Sequence, residues 1–175
     1  MTDINLPAAK APVRSDPDAD GAIVELIELL FFAYRDFVSD PDKILKDYGF
    51  GRAHHRVIHF VGRHPGICVA ELLDILRITK QSLGRVLRQL IDTGHVRQQS
   101  GAVDRRQRLL YLTPRGQERH DRLMAPQAAR VRAAIAATGL DSGAASRDML
   151  FRLVDAGERS HVLALLDRAA MRRTA

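Results

Sequence analysis

The chain has 175 residues, 46% of them hydrophobic, and a formal net charge of +6, so it can bury one substantial core or two small lobes. Its single cysteine, Cys68, excludes an intrachain disulfide framework and is compatible with a reducing compartment. The N-terminal sequence lacks the apolar core of a signal peptide, and four charged residues interrupt the most apolar stretch, residues 22–38. We therefore expect a soluble, cytoplasmic protein.

The N-terminal region combines a polar arm with a very apolar helix. Residues 1–18 contain three prolines and scattered charge, which predicts a flexible arm. Asp18 or Asp20 can cap a first helix that runs to about Val38. Apolar residues occupy nearly every side of this helix, and a small soluble monomer rarely hides such a helix completely. We predict that residues 19–50 form a dimerisation helix and a loop; the alternative is a helix buried within its own fold.

The next segment predicts two helices joined by short turns. Residues 52–64 form a helix that ends before Pro65, with His54 on its apolar side. Residues 69–76 form a support helix, and Arg77-Ile78 supply the turn that follows it. His55 and His59 have the i, i+4 spacing of zinc ligands. Two imidazoles among arginines are too few for zinc, so we predict no metal site.

Residues 79–92 predict a helix with one packing face and one reading face. Thr79 can cap its start, Gly94 lies where a left-handed residue usually ends a helix, and the apolar stripe is Leu83, Val86, Leu87, Leu90 and Ile91. Arginine and glutamine are the side chains that reach base edges, and arginine also binds phosphate. We predict that Gln81, Ser82 and Arg85 lie near base edges. Lys80, Arg88 and Gln89 lie nearer the DNA backbone.

After Gly94 the apolar period drops to two, which predicts a hairpin. Its first strand begins at Val96, Ser100-Gly101 offer a turn, and Leu110 and Leu112 share one face of the return strand. The connecting sequence AVDRRQR is strongly basic. Residues 51–116 contain 12 basic and 4 acidic residues, whereas the rest of the chain is slightly acidic. A reading helix followed by a basic hairpin predicts a winged helix-turn-helix that binds DNA.

The C-terminal region predicts two more helices. One runs from Gln117 to about Thr138 and is ended by Gly139, Ser142 and Gly143. The last runs from about Ser146 to Met171, and Gly157 can bend it midway. We predict that residues 117–175 carry C-terminal dimerisation helices. The expected fold class is mostly α with a small β-hairpin wing.

The motifs resemble one family of bacterial regulators. The sequence PG-x-x-x-x-ELL at residues 65–73, the ITKQS helix, and Asp104-x-Arg106 leading to Leu112-Thr113-x-x-Gly116 are similar to the MarR family. GRAHHR at residues 51–56 and ITKQSLGRVLRQL resemble its PetP-like branch. The resemblance implies that Arg106 enters a minor groove while Asp104 holds the arginines in place, and that the terminal helices interlace with those of a second subunit. The alternative for Asp104 and Arg106 is that they only staple the wing.

These observations predict a regulator that binds pseudo-palindromic operator DNA as a homodimer, with repression favoured over activation. The DNA-binding residues are predicted to be Thr79, Lys80, Gln81, Ser82, Arg85, Arg88, Gln89, Asp104, Arg105, Arg106 and Arg108. Small-molecule effectors are implied by the resemblance, and we predict that Phe31, Tyr34, Arg35 and His54 line their site. The alternatives are a metal- or redox-responsive regulator of this fold, or a winged-helix protein-interaction module without DNA binding. No enzyme motif and no cofactor motif is present, and we predict a non-enzymatic protein.

Overall fold

The structure is a computed structural model that describes residues 17–101, 104–139 and 143–171. The predicted arm lies almost wholly outside the described residues. Within them the helices and strands follow the order α1 Pro17–Lys46, α2 Arg52–Arg63, β1 Ile67–Cys68, α3 Val69–Leu76, α4 Lys80–Asp92, β2 Val96–Ser100, β3 Arg108–Leu112, α5 Pro114–Thr138, α6 Ala144–Arg152 and α7 Arg159–Met171. The mostly helical class with a small sheet is thus confirmed. None of these helices has the length and apolarity to cross a membrane.

The chain divides into two compact units, Met1–Asp36 and Phe37–Ala175. In the first unit, the described part of α1 exposes about half or more of each of nine large apolar side chains: Ile23, Val24, Leu26, Ile27, Leu29, Leu30, Phe31, Phe32 and Tyr34. Exposed apolar side chains of this number and size are typical of a surface that packs against another surface.

Helix α1 continues to Lys46, so the predicted end near Val38 is wrong. Pro41 lies inside the helix and has no N–H to donate to the carbonyl of Phe37, four residues earlier. The buried side chain of Gln127 on α5 supplies that bond, with 3.2 Å between Nε2 and the Phe37 oxygen. The helix survives its proline because a distant amide replaces the missing donor.

Replacing Gln127 with leucine is therefore expected to lower the free energy of unfolding by about 1–2 kcal/mol, because the Phe37 carbonyl loses its donor. The matched control is Gln117→Leu on the same helix, where the exposed amide only binds Asp121 four residues later. Urea unfolding followed by circular dichroism measures both. Equal stability of the two variants would contradict this account of Pro41.

The core of the second unit lies among α2, α3, α4, the sheet and α5. Val57, Ile58, Val61, Leu72, Leu83, Leu90, Leu110 and Leu123 are fully buried there. The predicted apolar stripe of α4 is confirmed, since Leu83, Val86, Leu87 and Leu90 are buried. Gly94 has the predicted left-handed backbone, with a φ of 70°. Periodicity thus positions α4 with one face packed and the other in solvent.

The sheet has three antiparallel strands in the order β1-β3-β2, so the expected two-stranded wing was incomplete. Val96 pairs with Leu112 and Ser100 with Arg108, as the predicted hairpin requires. The additional strand β1 pairs Ile67 with Leu110. Two residues show no periodicity, which is why β1 could not be recognised in the sequence. Strand β1 joins the start of α3 to the wing.

The last predicted helix is two helices, α6 and α7, separated around Gly157. The side chain of Arg159 explains the break, because its guanidinium donates to the carbonyl oxygens of Arg152 and Val154 at 2.7 and 3.0 Å. Arg152 is the last residue of α6, where carbonyls lack helical donors, and Val154 follows two residues later. On these helices and α5, apolar side chains are again exposed: Val131, Met149, Leu150, Leu153, Leu163, Leu166 and Met171.

Candidate nucleic-acid interface

The exposed face of α4 presents several of the side chains that are predicted to contact DNA, either at base edges or at the backbone. Gln81, Arg85 and Arg88 are exposed, and together with Gly84 they line a shallow surface groove of about 370 Å³. The opposite face packs into the core, so these side chains point into solvent from a fixed helix. Fixed donors of this length are suited to the edges of bases and to phosphates.

The start of α4 is held by its cap. The hydroxyl of Thr79 accepts from the Ser82 backbone N–H at 3.1 Å and donates to the Ser82 hydroxyl at 2.9 Å. The predicted cap at Thr79 is thereby confirmed. The next residue, Lys80, lines a groove of about 500 Å³ that also contains Asp104, Arg106 and Arg108 of the wing. The helix start and the wing thus border the same groove.

Gln89 lies at the other end of α4 and bonds inside the protein. Its Oε1 is 2.8 Å from Nε2 of His54 on α2, and its Nε2 donates to the carbonyl of Gly49 at 3.4 Å. The Nδ1 of His54 accepts from the Gly51 N–H at 3.1 Å, so Nε2 carries the proton and donates to Gln89. The imidazole also stacks on Phe50 at 4.8 Å. Gln89 and His54 therefore anchor α4 to α2.

The wing is the hairpin of β2 and β3, and the described part of its connection carries arginines. The Gly101 N–H donates to the carbonyl of Gln107 at 3.0 Å, and the Asp104 carboxylate accepts from the Arg106 backbone N–H at 2.9 Å. Arg108 donates to the Ser100 hydroxyl across the hairpin at 2.8 Å. Asp104 thus orients Arg106 through the main chain. Residues 102 and 103, the first two residues of the basic segment AVDRRQR, lie outside the described residues.

Among the described residues, the arginines of this face form no ion pair with a carboxylate. The ion pairs of the described residues engage acids elsewhere and include none of Arg85, Arg88, Arg105, Arg106 and Arg108. All five side chains are exposed. Exposed guanidinium groups that are not paired with acids can attract the negative charges of a polyanion such as DNA.

The residues predicted to line an effector site fall on two helices. Phe31 and Tyr34 are exposed on the first unit's part of α1, where Arg35 pairs with Asp36 at 2.8 Å and lies over the Phe32 ring at 5.0 Å. His54 lies on α2 of the second unit and has the contacts given above. Their shared role stays a prediction.

His59 of α2 is packed against α5. The rings of His59 and His120 stack at 5.8 Å, and burial together with His120 lowers the pKa of His59 to about 4. Burial also lowers the pKa of His55. Two stacked imidazole rings do not direct their nitrogen atoms toward a shared metal position. The described ranges contain no group of three or more candidate metal ligands. Cys68 is half-buried and precedes α3, where its N–H donates to Glu71 at 2.9 Å.

A support helix, a turn, a reading helix with a polar outer face, and a hairpin with an arginine tip are the parts of a winged helix-turn-helix. In such proteins the reading helix enters the major groove. The arrangement of α3, α4, β2 and β3 defines this chain as a winged-helix, DNA-binding protein.

The chain belongs to the MarR family of transcriptional regulators, whose profile matches residues 48–107. It is 47% identical over 141 residues to the HTH-type transcriptional regulator PetP of Rhodobacter capsulatus, covering 81% of this chain and 85% of PetP. Streptococcus pneumoniae FabT in complex with DNA has a similar structure, with a TM-score of 0.61 at 17% identity over 75% of this chain and 94% of FabT. Staphylococcus aureus MarR in complex with salicylate and kanamycin gives 0.58 at 19% identity over 74% and 86%.

Proposed function

We propose that this regulator binds pseudo-palindromic operator DNA as a homodimer, with α4 in the major groove and Arg106 of the wing in the adjacent minor groove. The observation that carries the proposal is the row of exposed Gln81, Arg85 and Arg88 beside wing arginines that form no ion pair among the described residues. A narrow minor groove concentrates negative potential and attracts an inserted arginine. The solved FabT complex supports DNA binding by this fold.

Each side chain of this face has a proposed task. Gln81, Ser82 and Arg85 approach base edges, whereas Thr79, Lys80 and Arg88 contact the DNA backbone. Arg105 and Arg108 contact phosphates beside the wing, and Asp104 fixes the turn from which Arg106 extends. Gln89 is already bonded to His54, so its main contribution is to hold the angle at which α4 meets DNA.

The proposal of a homodimer rests on the large apolar side chains that the described chain leaves exposed. Residues 19–50 and 117–175 would form the dimerisation region, because α1, α6 and α7 expose large aliphatic and aromatic side chains within the described chain. An isologous pairing would cover the same patches on both subunits and present two copies of residues 51–116 about one helical turn of DNA apart.

Regulation is proposed to act in the cytoplasm on nucleoid DNA, by occupying a promoter and repressing it. A small effector would shift the population of DNA-competent dimers. Phe31, Tyr34, Arg35 and His54 remain candidates for effector contacts because they combine apolar walls with a cationic group. The S. aureus relative in complex with salicylate and kanamycin supports ligand binding by this fold.

Replacing Arg85 with alanine is expected to lower affinity for the operator and also its preference over a scrambled duplex, by about 1–3 kcal/mol or roughly 5- to 150-fold. The operator is first isolated from genomic fragments that the purified protein retains. Both duplexes are then titrated by fluorescence anisotropy at several salt concentrations. Binding should weaken with salt by about 0.9 log units per log unit for each phosphate contacted.

The matched control is Arg132→Ala, which removes an exposed arginine from α5, outside the winged-helix segment. It should leave operator preference unchanged. Parallel losses on both duplexes for Arg85→Ala would make Arg85 a phosphate contact. A wild-type protein that binds no duplex in dilute buffer would contradict the proposed function and favour a protein-interaction module.

A further inference from the structure

Helix α4 contains a glycine that the packing of the helix does not explain. Gly84 is the fifth residue of α4 and lies inside it, away from both ends. Glycine disfavours a helix interior by a factor of about five relative to alanine, because it has the most backbone freedom to lose. A Cβ built on Gly84 would meet no atom within 4 Å, and its φ is not positive. Alanine would therefore fit at this position and favour the helix.

Close contacts explain the other two glycines that lie inside described helices of the second unit. A Cβ at Gly62 would come within 2.9 Å of side-chain atoms of His120 and Leu112. At Gly116 a Cβ would overlap the carbonyl oxygen of His95. Gly84 has no such neighbour among the described residues. A reason for its missing side chain therefore has to be sought in a contact with another molecule.

Gly84 lies among the long polar side chains of the reading face. Helix positions 81, 84, 85 and 88 share one side of α4, because residues three and four apart are neighbours on a helix. They line the exposed groove of about 370 Å³, whose residues are Gln81, Gly84, Arg85 and Arg88. The three neighbours carry long side chains, whereas Gly84 ends at its Cα. This leaves a gap in the reading face, which we call the Gly84 notch.

The chemistry of the Gly84 notch favours an apolar occupant. Inside a helix the N–H and C=O groups of Gly84 bond to neighbouring turns, so the floor of the notch is a CH₂ group without a free donor or acceptor. The guanidinium groups of Arg85 and Arg88 beside it disfavour a cation. In the major groove, the apolar substituent that distinguishes a base edge is the C5-methyl of thymine. A methyl group of this size fits the space that a Cβ would fill.

We propose that Gly84 is a specificity-determining residue and that its notch receives the C5-methyl of a thymine in each half-site of the operator. The inference deepens the proposed function and rests on it, because it requires α4 to enter the major groove. Gln81 and Arg85 recognise bases by hydrogen bonds, whereas the Gly84 notch recognises one base by its shape. A local preference is thus broken at a functional contact, where such conflicts are expected.

The test exchanges one methyl group between the protein and the DNA. Gly84→Ala adds a methyl group at the notch, and deoxyuridine in place of thymine removes the C5-methyl but keeps every base-pairing group. Operator duplexes are synthesised in which each thymine position of the half-site is replaced in turn, in both half-sites. Fluorescence anisotropy with the full chain gives the Kd of each duplex. At one thymine position the parent chain should lose about fourfold in affinity per half-site, the value of one buried methyl group.

Gly84→Ala is expected to reverse the preference at that thymine position. The added Cβ and the C5-methyl compete for the same space, so the affinity of the variant for the unmodified operator should fall at least about tenfold. The variant should bind the deoxyuridine duplex more tightly than the unmodified one, which is the opposite of the parent chain. A scrambled duplex should bind the parent chain and the variant equally, because its contacts are mainly with phosphates.

The matched protein control is Gly157→Ala, which adds a methyl group at an exposed glycine between α6 and α7 that also has no neighbour within 4 Å. It should bind every duplex as the parent chain does, and melting temperatures establish that both variants are folded. Equal operator affinity of Gly84→Ala and the parent chain would overturn the proposal, and so would a loss that no deoxyuridine duplex relieves. A parent chain that binds no duplex would instead contradict the proposed function itself.

Discussion

Gly116→Ala is expected to lower the free energy of unfolding by about 3 kcal/mol or more, a large part of the stability of a domain of this size. Gly116 is buried in the first turn of α5, and an added Cβ would overlap the carbonyl oxygen of His95. That oxygen accepts from the Thr113 N–H at 3.0 Å, and His95 is 1% exposed. The added Cβ is fixed to the backbone of α5, and the His95 oxygen is itself a backbone atom. Neither atom can move away unless the backbone hydrogen bond between Thr113 and His95 is broken.

Gly84→Ala is the matched control for this prediction. Gly84 lies in α4, and a Cβ added there meets no atom within 4 Å. Because alanine is the better helix former, we expect the control to be unchanged or stabilised by up to about 1 kcal/mol. Chemical unfolding monitored by circular dichroism compares the two variants. If Gly116→Ala unfolds at the same denaturant concentration as Gly84→Ala, the close approach of α5 to His95 does not require a glycine at position 116.

The same glycine shows what the sequence could predict and what it could not. Gly116 belongs to the LT-x-x-G motif, one of several motifs whose combination resembles the family and predicted the fold correctly. The reason for a glycine there is a contact with His95, twenty-one positions earlier, which spacing does not reveal. Helix α4 was predictable because its apolar period, its threonine cap and its terminal glycine are all local signals.

Features that depend on distant partners were not predictable in this way. Helix α1 passes Pro41 because Gln127 donates to the freed carbonyl, and α7 begins anew because Arg159 caps the end of α6. The side chain of Gln89 looks from sequence like one more polar group of the reading face, yet it bonds His54 on another helix. Polar side chains on a helix surface have either role, and tertiary packing decides between them.

The double substitution Leu26→Asp/Leu30→Asp is expected to convert the proposed dimer to monomers and to weaken operator binding by about 100-fold or more. These leucines lie one turn apart on α1 and are 48% and 47% exposed within the chain. Burying two carboxylates in an apolar contact without partners is strongly unfavourable. A monomer engages one half-site at a time and loses the effective concentration that links the two halves, commonly worth 10²–10⁴ in affinity.

Leu26→Met/Leu30→Met keeps the apolar character and volume of the surface and should remain dimeric with nearly unchanged operator affinity. Sedimentation equilibrium gives the subunit number, and anisotropy with full and half operators gives the affinities. The loss in the aspartate variant should be confined to the full operator, because each winged-helix segment remains intact. An equal loss of affinity for the half operator would show that the substitutions disturb folding rather than dimerisation. An aspartate variant that stays dimeric would exclude this face of α1 from the interface.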